Sequence, residues 1–306
     1  MYIFNYHRVG NPEDTDFDPN TFSCTQDDFA SQVNLLKKRF RLVNFTDLIM
    51  MIEDNVEVRE PLGLITFDDG YSDNFTKAMP VLESLDANAA FFIPTAFIGG
   101  RSIPWWDEAA WIIRQTKKKE IKLSSWEQAM PLSKSNIKHT IREVLRQFKL
   151  QTNLTMADKL DQLVEACECE LNEELKASLF MTWENVSEMH RKGMDIGSHT
   201  CTHQILSHLS LDDQRVEIVD SKTEIENHID DSVKGFAYPV GGLDAFTQQT
   251  VDIVREAEYK LAFIFPVGGG FNPFPAKNQY ELSRLPVESE FAHTDIKYAC
   301  AFASPY

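Results

Sequence analysis

The chain has 306 residues, 43% of them hydrophobic, which suffices for one large core and suits a single α/β barrel with an insertion. Charged residues make up 25% of the chain, the share of ordinary globular domains, so extensive disorder is excluded. The formal net charge of −17 argues against nucleic acid and anionic lipid as partners, because both are bound by clustered lysine and arginine.

Short apolar runs alternate with amphipathic stretches along most of the chain, which is typical of consecutive β/α units. The strands are predicted at residues 2–6, 62–67, 89–93, 194–196, 235–238 and 261–265, and the helices at residues 29–40, 74–86, 211–229 and 245–258. Residues 62–67 are nearly all apolar, so this strand is expected to be buried on both faces. The order of these elements predicts an α/β fold.

The stretch from about residue 105 to residue 190 interrupts this alternation. It contains several helical segments, including residues 135–149 and 156–168, together with many charges and no convincing strand. We therefore interpret residues 101–180 as a helical insertion within a single domain that spans residues 1–306.

Two adjacent carboxylates, Asp68 and Asp69, follow the predicted strand at residues 62–67, and Gly70 then permits a sharp turn. Burying neighbouring carboxylates is costly unless a cation compensates for their repulsion. In parallel α/β folds, ligands gather at the carboxyl ends of strands, which is where this pair lies. A solvent-exposed Asp-Asp-Gly turn also accounts for these residues, so the pair alone does not identify a site.

Two histidines, His199 and His203, follow the candidate strand at residues 194–196 and are four residues apart. With one carboxylate they supply the three protein ligands of a catalytic metal site, and the second carboxylate is left as a general base. We interpret Asp69, His199 and His203 as ligands of one divalent metal ion and Asp68 as the base. The donor set suits Zn²⁺, with Co²⁺ and Ni²⁺ as alternatives.

These motifs resemble those of the polysaccharide deacetylases, the carbohydrate esterases of family four. Thr-Phe-Asp-Asp-Gly at residues 66–70 matches the first motif, Ser-His-Thr-x-Thr-His at residues 198–203 the second, and residues 236–241 look like the third. Residues 6–9 and 105–107 resemble the branch that acts in exopolysaccharide, lipopolysaccharide and other surface-glycan pathways.

The resemblance implies a distorted (β/α) barrel of the polysaccharide deacetylase type. It also implies a metal-dependent hydrolase that removes acetyl groups from N-acetylated amino sugars in a poly- or oligosaccharide or its precursor. Carried over by position, Asp68 is the base, and the metal ligands are Asp69, His199 and His203. The backbone N–H of Val240 is then expected to bind the oxyanion.

The sequence departs from the family pattern in three places. Val240 stands where the third motif usually carries a tyrosine, so it keeps the backbone donor and loses the ring. Ala237 stands where the third motif usually carries the arginine that orients the base, and Arg284 is the candidate to supply that charge. The late Leu-x-x-His motif that provides the general acid is not recognisable. His7, at the end of the first strand, is the candidate acid; His293, or no histidine at all, are the alternatives.

Aromatic side chains near these motifs are candidates for substrate contact. Trp105, Trp106 and Tyr238 could stack on sugar rings, although each could equally be a packing anchor. Two other functions stay open: a cyclic imide or ureide amidohydrolase on the same fold, and a glycan-binding relative with weakened catalysis. The chain shows neither a signal peptide nor an apolar run of ~18 residues, which predicts a cytoplasmic protein without a membrane span.

Overall fold

The structure of the chain is a computed structural model that describes residues 1–56, 58–150, 154–171, 178–265, 270–274, 276, 278–288 and 292–302. The chain divides into two compact units. The first consists of Met1–Gly10, Phe22–Arg101 and Leu179–Tyr306, and the second of Asn11–Thr21 and Ser102–Ser178.

Thirteen strands and ten α-helices lie in the described part of the chain. The strands are β1 (Tyr2–Tyr6), β2 (Arg8–Val9), β3 (Phe22–Cys24), β4 (Arg41–Leu42), β5 (Leu62–Asp68), β6 (Ala90–Ile93), β7 (Glu120–Ile121), β8 (Met130–Pro131), β9 (Asp195–Ser198), β10 (Gly235–Ala237), β11 (Leu261–Ile264), β12 (Leu282–Ser283) and β13 (Leu285–Pro286). The helices are α1 (Gln26–Arg39), α2 (Phe45–Glu53), α3 (Met79–Ser84), α4 (Trp105–Gln115), α5 (Ile137–Lys149), α6 (Met156–Cys167), α7 (Trp183–Arg191), α8 (Leu211–Ile229), α9 (Gln248–Glu256) and α10 (Ala292–Phe302), and a π-helical segment (Asn74–Ala78) precedes α3.

The first unit is a nearly closed barrel of eight parallel strands surrounded by helices. The strands follow the order β12-β11-β10-β9-β6-β5-β1-β13, and β4 pairs with β5 beside this path. The two end strands, β12 and β13, are separated in sequence by one residue, Arg284, so a single short segment runs from one edge of the sheet to the other. The α/β barrel predicted from the sequence is thereby confirmed.

Side chains alternate between the inside of the barrel and its outer surface because successive residues of a strand face opposite ways. The inward positions of β1, β5, β6 and β11 contribute Ile3, Leu64, Phe92 and Phe263, and Phe45 of α2 packs in the same cluster. This alternation continues to the carboxyl ends of the strands, where the inward positions become polar. The same pattern that fills the barrel therefore directs polar groups into its mouth.

The outward positions form a second core between the barrel and its helices. Phe67 lies at its centre: its ring stacks on Phe91 with centroids 4.8 Å apart, and it also contacts Tyr6 and Phe29. All four rings are buried. These contacts attach α1 to the sheet and bury the outer face of β5, and the cluster inside the barrel buries its inner face, as the apolar sequence predicts.

The second unit contains α4, α5 and α6 with the antiparallel ribbon β7–β8. The sequence predicted no convincing strand in this stretch, so the ribbon corrects that expectation. Each of its strands has two residues, which is too short to produce an alternating pattern. That residues 101–180 form an insertion within one deacetylase-like domain remains a proposal.

Among the helices of the described ranges, none combines the length and the apolar character that a bilayer crossing requires.

Replacing Phe67 by alanine should destabilise the protein by about 3–5 kcal/mol, because the buried ring leaves a cavity among its aromatic neighbours. Phe271→Ala is the matched control, since that ring is 56% exposed and its loss should cost about 0.5 kcal/mol. Urea unfolding monitored by circular dichroism measures both free energies. Equal losses in the two variants would contradict the central position of Phe67.

Candidate active site

The two carboxylates lie at the carboxyl end of β5, inside the barrel mouth. Asp68 is the last residue of the strand, and Asp69 and Gly70 both adopt left-handed backbone conformations, with φ of 74° and 72°. This turn breaks the alternation of the strand, so both carboxylates face the same space. They are 1% and 4% exposed, which rules out a solvated Asp-Asp-Gly turn.

The two histidines follow the carboxyl end of β9. The backbone N–H of His199 donates to the carbonyl of Ile93 on the neighbouring strand β6, at 3.0 Å. Nδ1 of the His199 ring lies 2.7 Å from the carbonyl oxygen of Ala237. Because a carbonyl can only accept, Nδ1 carries the proton and Nε2 presents its lone pair, which is the tautomer that metal-ligating histidines use.

One donor atom from each of Asp69, His199 and His203 lies within 4.8 Å of the other two. Asp69 Oδ1 is 3.5 Å from His203 Nε2 and 3.9 Å from His199 Nε2. Ligands about 2.1 Å from a tetrahedral Zn²⁺ are separated by about 3.4 Å, so a small contraction brings all three into range. The three residues therefore fit a divalent metal ion.

Burial keeps both imidazoles neutral. It lowers the pKa of His199 to about 4, and it lowers the pKa of His203 well below the usual value, with His199 adding to the effect. A neutral imidazole is the form that binds metal. The histidines are therefore ready to accept a cation at physiological pH.

Asp68 is held by two partners inside the barrel. Arg284 Nη1 donates to Asp68 Oδ1 at 2.7 Å, and Asn5 Nδ2 donates to Asp68 Oδ2 at 3.2 Å. Arg284 also donates to Asn5 Oδ1 at 2.8 Å, which closes a triangle of hydrogen bonds. Burial raises the pKa of Asp68, but the charge of Arg284, with His199 and His7 adding, outweighs burial and lowers it to about 2. Asp68 is therefore ionised at neutral pH.

His7 follows β1 at the same rim of the barrel. Tyr6 of β1 is paired with Phe67 of β5, so the chain direction places His7 beside Asp68. The backbone of His7 is fixed on both sides: its N–H donates to Ser23 Oγ at 3.0 Å, and its carbonyl accepts from Asn74 Nδ2 at 2.7 Å. Burial lowers the pKa of His7, while the charge of Asp68 raises it and that of Arg284 lowers it.

Val240 and Tyr238 occupy different environments although both follow β10. Val240 is 53% exposed and has a φ of 63°, which is rare for a β-branched residue. Tyr238 is fully buried outside the barrel, where its ring stacks on Phe246 and its hydroxyl donates to the carbonyl of Tyr280. The structure thus does not bring Tyr238 to the cluster, because Ala237 takes the inward position of the strand.

The tryptophans belong to the second unit. Trp105 and Trp106 begin α4, are half-buried and contact each other edge to face with centroids 5.8 Å apart. Trp105 also lies 6.0 Å from the ring of Phe148. Contact of either ring with a substrate remains a prediction. His293, the alternative acid, lies in α10, and its side chain falls outside the described part.

Sequence reasoning did not find Asn5, Ser23 or Asn74. Asn5 carried a detectable signal, since it is a polar residue at an inward position of an otherwise apolar strand, two residues before His7. Ser23 and Asn74 act through the backbone of His7, and such contacts leave no sequence pattern.

Replacing Arg284 by methionine should destabilise the protein at pH 7 by about 3–5 kcal/mol, because Asp68 becomes an uncompensated buried charge. The folded-state pKa of Asp68, about 2, lies below its ordinary value of 3.8, so the stabilisation is complete above that value and is lost as pH falls through about 2. In Arg284→Met, Asp68 can be protonated when the pH is lowered to about 4, which removes the buried charge. The difference in unfolding free energy between the variant and the parent protein should therefore become smaller at that pH.

Urea unfolding at several pH values measures this deficit. The control is Arg41→Met, which removes an exposed pair with Glu60 and should cost less than about 1 kcal/mol. Adding Asp68→Asn to Arg284→Met should recover part of the stability. A double variant no more stable than Arg284→Met would contradict the pairing.

A family model and a curated relative match the sequence of this chain. The profile of the family described as "Polysaccharide deacetylase" matches residues 55–262. YxkH of Bacillus subtilis (strain 168), whose name includes the words polysaccharide deacetylase, is 23% identical over 260 residues. That alignment covers 85% of this chain and 62% of YxkH, so the chain spans less than two thirds of that relative.

Solved structures show the same fold. The Streptococcus pyogenes deacetylase PplD, in complex with acetate, superposes with a TM-score of 0.63 at 18% identity, covering 97% of this chain and 96% of PplD. IcaB from Ammonifex degensii superposes with a TM-score of 0.58 at 17% identity, covering 99% and 97% of the two chains. The family profile spans more than half of the sequence, so the chain belongs to the polysaccharide deacetylase family.

Proposed function

We propose that this protein is a metal-dependent hydrolase that removes acetyl groups from N-acetylated amino sugars in a poly- or oligosaccharide or its precursor. The observation that carries the proposal is the convergence of Asp69, His199 and His203 beside an ionised Asp68 at one end of the barrel. Membership of the polysaccharide deacetylase family supports the acetyl group as the target.

Asp69, His199 and His203 would hold the metal ion, with Zn²⁺ expected first and Co²⁺ or Ni²⁺ as alternatives. When bound, the ion would supply a Lewis acid towards the acetyl carbonyl and a water molecule. A three-residue set leaves a coordination position open, as catalytic sites require.

The protein side chains would divide the proton transfers between them. Asp68 Oδ2 would accept a proton from the attacking water, while Arg284 and Asn5 hold the carboxylate in place. The backbone N–H of Val240 would donate to the oxyanion. His7 would then protonate the departing amine.

The saccharide itself would occupy the barrel mouth, with the acetyl group directed towards Asp68 and the metal ligands. For the second unit, taken by itself, we propose that Trp105 and Trp106 contact sugar rings by stacking. A neutral N-acetylated saccharide suits a strongly acidic protein, because its binding does not require a basic groove.

Zinc should stabilise the folded protein, because the ion binds the assembled site and not the unfolded chain. At a free zinc concentration of about 100 times Kd the gain is about 2.7 kcal/mol, measured by urea unfolding with and without metal. His203→Ala should abolish the gain, whereas His208→Ala, an exposed histidine five residues away, should retain it. An equal gain in both variants would place the metal elsewhere.

Asp68→Asn should lower the rate of acetate release by about 10²- to 10⁴-fold while zinc content stays unchanged, because the base is lost and the ligands remain. His7→Gln should lower it by about 10²-fold for loss of the acid. Acetate release from N-acetylated oligosaccharides, with metal analysis of each variant, measures both.

Asp195→Asn is the matched control, since Asp195 is a half-buried carboxylate at the opposite end of β9 that accepts the backbone N–H of Phe45, and it should be dispensable for turnover. Normal turnover in Asp68→Asn would remove Asp68 as the base. Ring opening of small imides without acetate release would contradict the proposed substrate and favour a cyclic imide or ureide amidohydrolase.

A further inference from the structure

The loop between the two candidate ligand histidines is bound by one carboxylate from helix α8. Glu217 Oε2 accepts the backbone N–H of Cys201 and that of Thr202, both at 2.9 Å, and Glu217 Oε1 accepts the hydroxyl of Thr202 at 2.5 Å. Glu217 is only 6% exposed. All three bonds go to the residues that separate His199 from His203.

The same face of α8 also supports the start of this loop. Ser221, one helical turn after Glu217, has its hydroxyl oxygen 2.7 Å from that of Ser198, the residue before His199. Ser198 Oγ in turn accepts the backbone N–H of Thr200 at 3.2 Å. Two side chains of one helix therefore hold both ends of the segment that carries His199.

This loop needs external support because its own backbone is unfavourable. Thr200 and His203 have φ values of 66° and 58°, in the left-handed region that non-glycine residues rarely adopt. One hydrogen bond inside the loop, from the His203 N–H to Thr200 Oγ1 at 3.0 Å, offsets part of the free-energy cost of these conformations. Strained conformations persist only when surrounding contacts fix them, and the Glu217 carboxylate supplies three such contacts.

We propose that Glu217 is a positioning residue for the metal centre: its carboxylate fixes the loop that presents His203 beside His199 and Asp69. The inference rests on the metal site proposed above and assigns no chemical step to Glu217. Both oxygens of the Glu217 carboxylate accept hydrogen bonds from the loop, whereas an amide at this position would keep only one acceptor oxygen. Removal of Glu217 should let His203 leave its ligand position. The loss of zinc affinity should therefore be larger than the loss of stability of the metal-free protein explains.

The test is zinc affinity, measured by competition with a chromophoric chelator, in Glu217→Ala and Glu217→Gln. Supporting groups around metal ligands change affinity by about 10- to 100-fold, and a loss in this range is expected for Glu217→Ala. Glu217→Gln keeps an acceptor for the backbone N–H groups and should lose less. The visible absorption spectrum of the Co²⁺-loaded protein should change in intensity in Glu217→Ala, because the ligand geometry is altered.

Gln214→Ala is the matched control on the same helix. Gln214 is also buried, and its side chain bonds to Thr250 and to the carbonyl of Leu209 instead of the histidine loop. It should lower the melting temperature of the metal-free protein while changing zinc affinity by less than about twofold. If Gln214→Ala weakens zinc binding as much as Glu217→Ala, the effect is general destabilisation and the inference is overturned.

The remaining outcomes separate this inference from the proposed function. If the parent protein binds zinc tightly and Glu217→Ala binds it within about twofold, the metal centre stands and the role of Glu217 is wrong. If the parent protein binds no zinc, cobalt or nickel, the metal centre fails and the inference fails with it. A loss in Glu217→Ala that Glu217→Gln partly restores supports the positioning role.

Discussion

The buried pair of Asp68 and Arg284 is the interaction on which the site depends. Arg284 is the single residue between β12 and β13, so it sits where the two edges of the sheet meet. It is fully buried, and its guanidinium also lies 4.4 Å from the ring centroid of Phe265. Buried ion pairs often add little net stability compared with apolar residues. The pairing is therefore better explained by the need to keep Asp68 ionised inside the barrel than by stability of the fold.

Backbone strain is concentrated at the same end of the barrel. Nine non-glycine residues in the described part of the chain have positive φ. Five of them lie at or just after the ends of α2, α3, α6, α8 and α9, where a left-handed residue commonly terminates a helix. The other four are Asp69, Thr200, His203 and Val240. Because such strain must be offset by surrounding contacts, its placement in the three motif loops favours a functional origin.

The sequence predicted the residues of the short contiguous motifs, and it pointed to Arg284 and His7 because the expected motif residues were absent, but it missed the supporting residues Asn5 and Glu217. Asp69 and His199 each follow a predicted strand, so their convergence could be expected from the parallel fold. Asn5 and Glu217 could not be found in this way, since Asn5 contacts a residue 279 positions away and the partners of Glu217 lie 16 and 15 residues before it, in a loop outside its helix. Tyr238 was a candidate for either substrate contact or packing because of its motif, and strand alternation assigns it to the outer core.

One cation links the two proposed proton-transfer groups. Arg284 lowers the pKa of Asp68 and also that of His7, whereas the negative charge of Asp68 raises the pKa of His7. If Asp68 accepts a proton, that negative charge disappears while Arg284 remains, so the pKa of His7 must fall further. In the proposed reaction, His7 would then be a stronger acid at the stage when the departing amine needs a proton. The electrostatic arrangement that keeps Asp68 ionised would therefore couple protonation of the proposed base to proton release from the proposed acid.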